Sequence, residues 1–351
     1  MRKIAKIFLI VLSLCCLIVG CNKQEKQMTS QGKTITVTDS SGTQVEIPCP
    51  VRRAVISNAY NAELINAINA MDYVVGVDNY IYNDQRGFGN RFKKEQVVGT
   101  SQREINFENV IKLNPEVLIL TGNGSVEEAR RKLTPFGIKV IVCDAYFTQD
   151  FSKNAKLLGQ VFGKEKDAED LVNYFEVKLK YLQKQLKDVK KKRLYFEYRK
   201  EGSTTIPGNY FYKMVEFSGA DNIFKDAKNV NVDSESIIKR NPQYIVKVSD
   251  INVMSKYEPP TLAEHEKILS ELKNRPGWDN IDAVKDNKIF LLSHYVHGGA
   301  SKLVGTMYIA KFLYPELLPD LNPEEVFKVW LEKYQHLSYI SGHTYPAYKL
   351  D

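Results

Sequence analysis

Nine side chains in this sequence could together hold a ligand: Asn58, Tyr60, Tyr80, Tyr146, Tyr198, Arg199, His294, Tyr295 and His297. A phenol combines flat apolar area with an oxygen that donates hydrogen bonds or ligates iron, which suits a metal chelate or a macrocycle. Arg199 would neutralise an anionic ligand through its fork of donors, a solvated surface charge being the other reading of it. His294 and His297 precede Gly298-Gly299 and, three residues apart, would face one another on a helical turn. With 5 His in the chain, a zinc or manganese centre lacks converging partners. Hydrogen bonding to a ligand or to backbone is therefore expected of both imidazoles, and no direct metal site.

Catalytic patterns are weak or missing. Gly122-Asn123-Gly124 follows a strand-like run, but Glu127 stands where a dinucleotide fingerprint needs its third glycine. No Gly-x-Ser-x-Gly, His-Glu-x-x-His or Gly-Lys-Ser occurs. A non-enzyme is expected. The formal charge of +7 falls to +4 once the bases Arg2, Lys3 and Lys6 are set aside, too mild and dispersed for nucleic acid.

The elements that must position these residues alternate. Lys33 to Pro48 reads as a hairpin around Gly42, followed by apolar strands at 54–56, 73–77, 97–99, 117–121 and 139–143. Helical patterns fall between them at 64–71, 107–113 and 126–136. Strands at 194–198, 244–248 and 288–293 alternate with helices at 210–218, 235–240, 262–273, 302–313 and 323–337. Such alternation argues α/β lobes with mostly parallel sheets. In open sheets of this kind ligands bind beyond the carboxyl ends of the strands. All nine residues fall at or just past such ends, as do Asn123 and Asp144.

Residues 164–193 interrupt the alternation. Ala168, Leu171, Val172, Phe175, Leu179, Leu182, Leu186 and Val189 make one apolar stripe at helical spacing. Acids crowd its start and lysines its end, as a helix dipole favours. One helix of roughly 40 Å is predicted, joining a lobe at 34–163 to a lobe at 194–351. Across it the chain repeats itself: Asn106-Phe107-Glu108-Asn109-Val110-Ile111-Lys112-Leu113-Asn114-Pro115 matches Asp233-Ser234-Glu235-Ser236-Ile237-Ile238-Lys239-Arg240-Asn241-Pro242 without a gap. Each copy predicts a capped helix, an Asn-Pro stop and a buried strand.

The N-terminus is read as a signal peptide at 1–20, with a basic start, an apolar run to Val19 and a small residue before Cys21. Residues 17–21 resemble a bacterial lipobox. That implies lipidation of Cys21, a flexible tether at 21–33 and an extracytoplasmic, membrane-anchored protein. Cys49 and Cys143 then remain, and two free thiols are expected rather than a bridge.

Taken in order, these segments resemble the substrate-binding lipoproteins of ATP-driven importers for iron-siderophores, haem and cobalamin, the class III periplasmic binding proteins. The motifs include Thr36-Val37-Thr38-Asp39 with Ile47-Pro48, Val74-Val75-Gly76-Val77-Asp78, Phe217-Ser218-Gly219-Ala220-Asp221-Asn222, Pro276-Gly277-Trp278 and Tyr314-Pro315-Glu316. Ala220 departs from a glycine usual there. The resemblance implies two Rossmann-like lobes bridged by one rigid helix and a ligand held in the cleft. It also implies a monomer that delivers its ligand to a permease and ATPase; the one continuous helix between the lobes predicts a small motion on binding. Its docking acids would be Glu108 and Glu235. An iron(III)-siderophore or similar metal chelate is the expected ligand, with cobalamin or haem as alternatives; no resident cofactor is implied. A surface scaffold without transport is the reading from another class.

Overall fold

The computed structural model describes residues 33–84, 88–249, 258–299 and 302–350. The expected signal peptide, Cys21 and the tether up to residue 32 lie outside them.

The chain opens with the expected antiparallel hairpin, β1 (Thr34–Thr38) and β2 (Gln44–Pro48). Then come β3 (Ala54–Ile56), α1 (Ala59–Ala67), β4 (Val74–Val77) and α2 (Asn79–Tyr82). A small hairpin, β5 (Gly99–Ser101) with β6 (Glu104–Ile105), leads into α3 (Phe107–Lys112), β7 (Val117–Leu120), α4 (Val126–Leu133) and β8 (Lys139–Val142). The order β4-β3-β7-β8 makes a parallel sheet. Strand β7 is buried along its whole length, which is why Val117-Leu118-Ile119-Leu120 is apolar at every position and not at alternate ones.

Two helices follow, α5 (Phe151–Phe162) and α6 (Glu165–Gln185). The second lobe runs β9 (Lys192–Glu197), α7 (Tyr212–Phe217), β10 (Ala220–Asn222), α8 (Ser234–Arg240), β11 (Tyr244–Val248), α9 (Leu262–Lys273), α10 (Asp282–Lys285) and β12 (Ile289–Leu292). It closes with α11 (His294–His297), α12 (Lys302–Leu313), α13 (Pro323–Val329) and β13 (Thr344–Tyr345). Its sheet has the order β10-β9-β11-β12-β13, parallel except for the edge strand β13. Strands β10 and β13 escape the sequence reading because two or three residues show no period.

The connecting helix is shorter than the expected 164–193. It stops at Gln185, where Leu186 donates its N–H to Leu182 at 2.9 Å and turns out of helical geometry. The basic run beyond it enters strand β9 instead. Lys192 donates its N–H to Tyr314 Oη at 3.0 Å, while its ammonium donates to Tyr244 Oη at 2.9 Å. Sheet pairing and these tertiary bonds outweigh the local helical pattern.

The repeat seen in the sequence is a repeat in space. Asn106 and Asp233 cap α3 and α8 by accepting from Asn109 N and Ser236 N. Asn114 and Asn241 both adopt left-handed backbone, with φ of 46° and 40°, a conformation Asn tolerates better than other side chains. Arg53 donates to the carbonyl of Leu113, and Arg193 donates to that of Arg240. Glu116 N–H donates to Arg53 O at 2.8 Å and Gln243 N–H to Arg193 O at 3.0 Å. The two arginines thus tie corresponding helix ends to corresponding strands.

Contacts between helices also hold the lobes together. The amide of Asn66 on α1 donates to Gln335 O at 3.0 Å, and that of Gln335 donates back to Glu63 O at 3.1 Å. Asp170 on α6 binds Lys333 at 2.7 Å and Tyr334 at 3.2 Å. Phe175, fully buried on α6, packs edge-on against Phe151 of α5 and Trp330 beyond α13, at 5.3 and 5.9 Å.

Candidate functional site: a cleft lined by phenols and cations

A cavity of about 500 Å³ lies beyond the carboxyl ends of the strands. Eight of the nine sequence-named residues line it: Asn58, Tyr60, Tyr80, Tyr146, Tyr198, Arg199, His294 and Tyr295. Each stands within a few residues of a strand end, so the parallel order of the sheets is what brings them together.

Buried Asp78 shapes one wall. Its carboxylate accepts from Ser57 Oγ at 2.8 Å, Asn58 N–H at 2.7 Å and Ile81 N–H at 2.9 Å, joining the ends of β3 and β4. Burial nevertheless raises its pKa. Asn58, held at φ 85°, caps α1 by accepting from Tyr60 N–H at 2.9 Å. A non-glycine residue in that region is costly and is retained where the surroundings over-determine it. The first turn of α1 then presents Tyr60, and Glu63 one turn later, to the cavity.

Tyr80 stands at the rim, 46% exposed. Across from it Tyr146 meets Tyr210 edge-on at 6.3 Å. Burial, and then the adjacent Asp144 carboxylate, push the Tyr146 phenol up to about 12, so at neutral pH it is a donor. After β9, the Arg199 guanidinium sits 5.0 Å from the Tyr198 ring, a cation–π contact. Arg103, at the tip of the β5–β6 hairpin, and Asp84 also line the space.

His297 does not line the cavity. It is wholly buried behind it, its ring 4.9 Å from that of His294 and 5.2 Å from Phe211, with neither nitrogen hydrogen-bonded among the described residues. Burial pushes its pKa down to about 3, so it is neutral in the folded protein. Of the two imidazoles expected at the ligand, His294 alone lines the cavity and His297 does not. The reason is that α11 is one turn of helix: His294 opens it toward the cavity and His297 ends it against Phe196, Tyr198 and Phe211. Among the described residues no group of three or more His, Cys, Asp or Glu could hold a metal ion. Cys49 and Cys143 are free thiols, as expected.

The sequence reading missed Glu63, Tyr210 and Arg103 on the lining, and Lys302 buried behind it. Lys302 is 1% exposed, with its ammonium 4.7 Å from the Tyr60 ring and 5.8 Å from that of Tyr210. Burial, opposed by the Glu63 carboxylate, lowers its pKa to about 7. Only the spacing of Glu63 from Tyr60, one helical turn, could have signalled any of the four.

A pH effect on stability follows from His297. Its folded pKa lies below the unfolded value of 6.5, so the unfolded chain binds more protons between about 6.5 and 3. Stability is therefore fully present above 6.5 and falls as pH drops through that window. At pH 5 the loss is about 2 kcal/mol, from ~1.4 kcal/mol per unit. Urea unfolding at pH 7 and pH 5 should show that difference in the wild type and lose about that much of it in His297→Phe, where other titrating groups cancel.

The sequence matches the periplasmic binding protein family over residues 54–296, more than half of the chain. The protein belongs to that family. A Bacillus subtilis lipoprotein, YvrC, described as an uncharacterized ABC transporter substrate-binding lipoprotein, is 26% identical over 338 residues, covering 91% of this chain and 100% of that one. The molybdate-binding protein MolA of Haemophilus influenzae is 23% identical, covering 93% and 98%. Its molybdate-bound structure superposes with a TM-score of 0.69 at 20% identity over 87% of this chain and 99% of that one. A TroA-like periplasmic binding protein, FepB, from Veillonella parvula superposes with a TM-score of 0.73 at 20% identity, covering 88% and 99%.

These likenesses fix the class III fold. A periplasmic binding protein is a non-enzymatic solute binder that works outside the cytoplasm with an importer's permease and ATPase. No helix among the described residues is long and apolar enough to cross a membrane.

Proposed function

We propose that this periplasmic binding protein captures an iron(III)-siderophore or a similar anionic metal chelate in the cleft and delivers it to its permease. The lining of the cavity carries this reading. Phenols offer flat apolar surface with hydroxyl donors, Arg103 and Arg199 offer charge for an anionic periphery, and the volume lies within the ~300–1,000 Å³ of small-molecule sites. A metal entering as a finished complex needs no shell of protein carboxylates and imidazoles. Cys21, lipidated, would tether the protein to the membrane. Glu108 and Glu235, exposed in the first turns of α3 and α8, would dock onto basic residues of the permease. The interlobe ties through Asn66, Gln335 and Asp170 support a small motion on binding.

A second reading is a bare oxyanion, favoured by the full-length similarity to a molybdate-binding protein. Four oxygens occupy on the order of four waters, ~120 Å³, and leave most of this cavity unfilled. Fluorescence titration decides between them. The panel is the ferric complex of desferrioxamine B, ferric tris-catecholate, cyanocobalamin, haemin and sodium molybdate. The expected result is saturable binding of a ferric chelate, weakened at least tenfold by Arg199→Ala through loss of a charge-assisted contact of about 1.5–3 kcal/mol.

A further inference from the structure

In the sheet of the second lobe, beside the strand end that carries Tyr198 and Arg199, lies a buried ionic cluster that solute binding by the lining residues does not explain. Glu197, at the end of β9, is wholly buried. It pairs in two-pronged fashion with Arg275, at 2.9 Å to each oxygen, and with Lys247 of β11 at 3.0 Å. It also accepts from Tyr195 Oη at 2.8 Å and from Gly202 N–H at 3.0 Å. Burial pushes Glu197 toward the neutral acid, but Arg275 and Lys247 hold its pKa below the ordinary value.

The Lys247 ammonium has a second set of partners. It donates to Tyr198 O at 2.6 Å and Arg199 O at 2.8 Å. These are the backbone carbonyls of the two residues that present a phenol and a guanidinium to the cavity from this strand end. The same segment folds back at once: Tyr198 N–H donates to Ser203 O at 2.7 Å, and Gly202 takes φ +70° where a Cβ would meet Val232 O at 2.3 Å. One lysine, 6% exposed, therefore holds both carbonyls of a turn whose side chains face the ligand. Two carbonyl oxygens pointing at one site repel each other unless a cation lies between them. Lys247 supplies that counter-charge.

We propose that Lys247 is a positioning residue for the ligand cavity: by bridging the Glu197 carboxylate to the Tyr198 and Arg199 carbonyls, it fixes the direction in which the Tyr198 phenol and the Arg199 guanidinium enter the cleft. The proposal rests on the chelate-binding reading for its ligand, but the clamp itself is testable without one. Lys247→Met keeps the side-chain volume and leaves Glu197 paired with Arg275, so the buried charges still balance and the lobe folds. Lys247→Arg keeps cationic donors at the position.

Hydrogen exchange of the ligand-free protein, read by mass spectrometry, should show amides of residues 198–203 in Lys247→Met exchanging about tenfold faster or more, the loss expected for a charge-assisted hydrogen bond. Amides of β11 and β12 should stay unchanged, and Lys247→Arg should restore slow exchange. With the ferric complex of desferrioxamine B or ferric tris-catecholate, whichever the wild type binds, Lys247→Met should weaken affinity about tenfold. Lys247→Met added to Arg199→Ala should weaken binding by clearly less than the tenfold it costs in the wild type, because the arginine is one of the two groups the lysine positions. Unchanged exchange at residues 198–203 overturns the clamp whatever the ligand is. Fully additive effects on affinity reduce Lys247 to a purely structural residue. A wild type that binds no member of the panel refutes the chelate reading, while the exchange measurement still decides the clamp.

Discussion

Glu108→Ala with Glu235→Ala should abolish ligand uptake by cells while leaving the affinity of the purified protein unchanged. Both carboxylates are exposed, neither lines the cavity, and each sits two residues after the cap of its helix. Their helices occupy matching places in the two copies of the repeat, tied by Arg53 and Arg193 to matching strands. A partner with two basic patches at fixed separation would read them together. Close charge pairs across an interface carry roughly 1.5 kcal/mol or more each, so losing both costs about 3 kcal/mol, on the order of a hundredfold in docking affinity. Charge reversal to Lys should act more strongly through repulsion. Cell uptake of radiolabelled ligand set beside titration of the pure variant checks the split. Equal uptake by wild type and variant would leave the scaffold reading standing.

Phe175→Ala should destabilise the protein by about 3–5 kcal/mol, the range for deleting a buried aromatic ring. The ring is fully buried and touches Phe151 on one side and Trp330 on the other, so its loss opens a void where the connecting helix meets both lobes. Neighbouring large rings cannot collapse into such a void without leaving their own contacts. Val177, two residues on and 66% exposed, is the control: Val177→Ala should stay within about 0.5 kcal/mol of wild type. Urea midpoints for the three proteins measure both. A Phe175→Ala variant as stable as the control would mean that the helix is an appendage and not the joint of the two lobes.

Much of this is legible in the sequence. Runs such as Val117 to Leu120 and Ile289 to Leu292 are apolar at every position because both faces of a parallel strand are covered, and that made the strands and their ends easy to place. Since the cleft lies past those ends, Asn58, Tyr60, Tyr146, Tyr198 and His294 followed. The paired Asn-Pro stops marked the repeat, with no hint that Arg53 and Arg193 would also correspond. Residues that reach the site by another route stayed hidden. Lys302 begins a helix, Arg103 tips a hairpin, and Tyr210 sits in the loop before α7; no pattern of period two or 3.6 points from any of them to a cavity. Nothing in the sequence singles out Lys247 within its strand; the fold buries it against Glu197. His297 was legible as a neighbour of His294, but which of the two faces the ligand depends on where a single helical turn meets Phe211.

Titration of the purified protein with the ligand panel, followed by the fluorescence of the tyrosines around the cavity, tests the central claim most directly. The account predicts saturable quenching by a ferric hydroxamate or catecholate complex at one site per chain, and no response to molybdate at equal concentration. Saturable binding of molybdate with no response to any ferric chelate would contradict it.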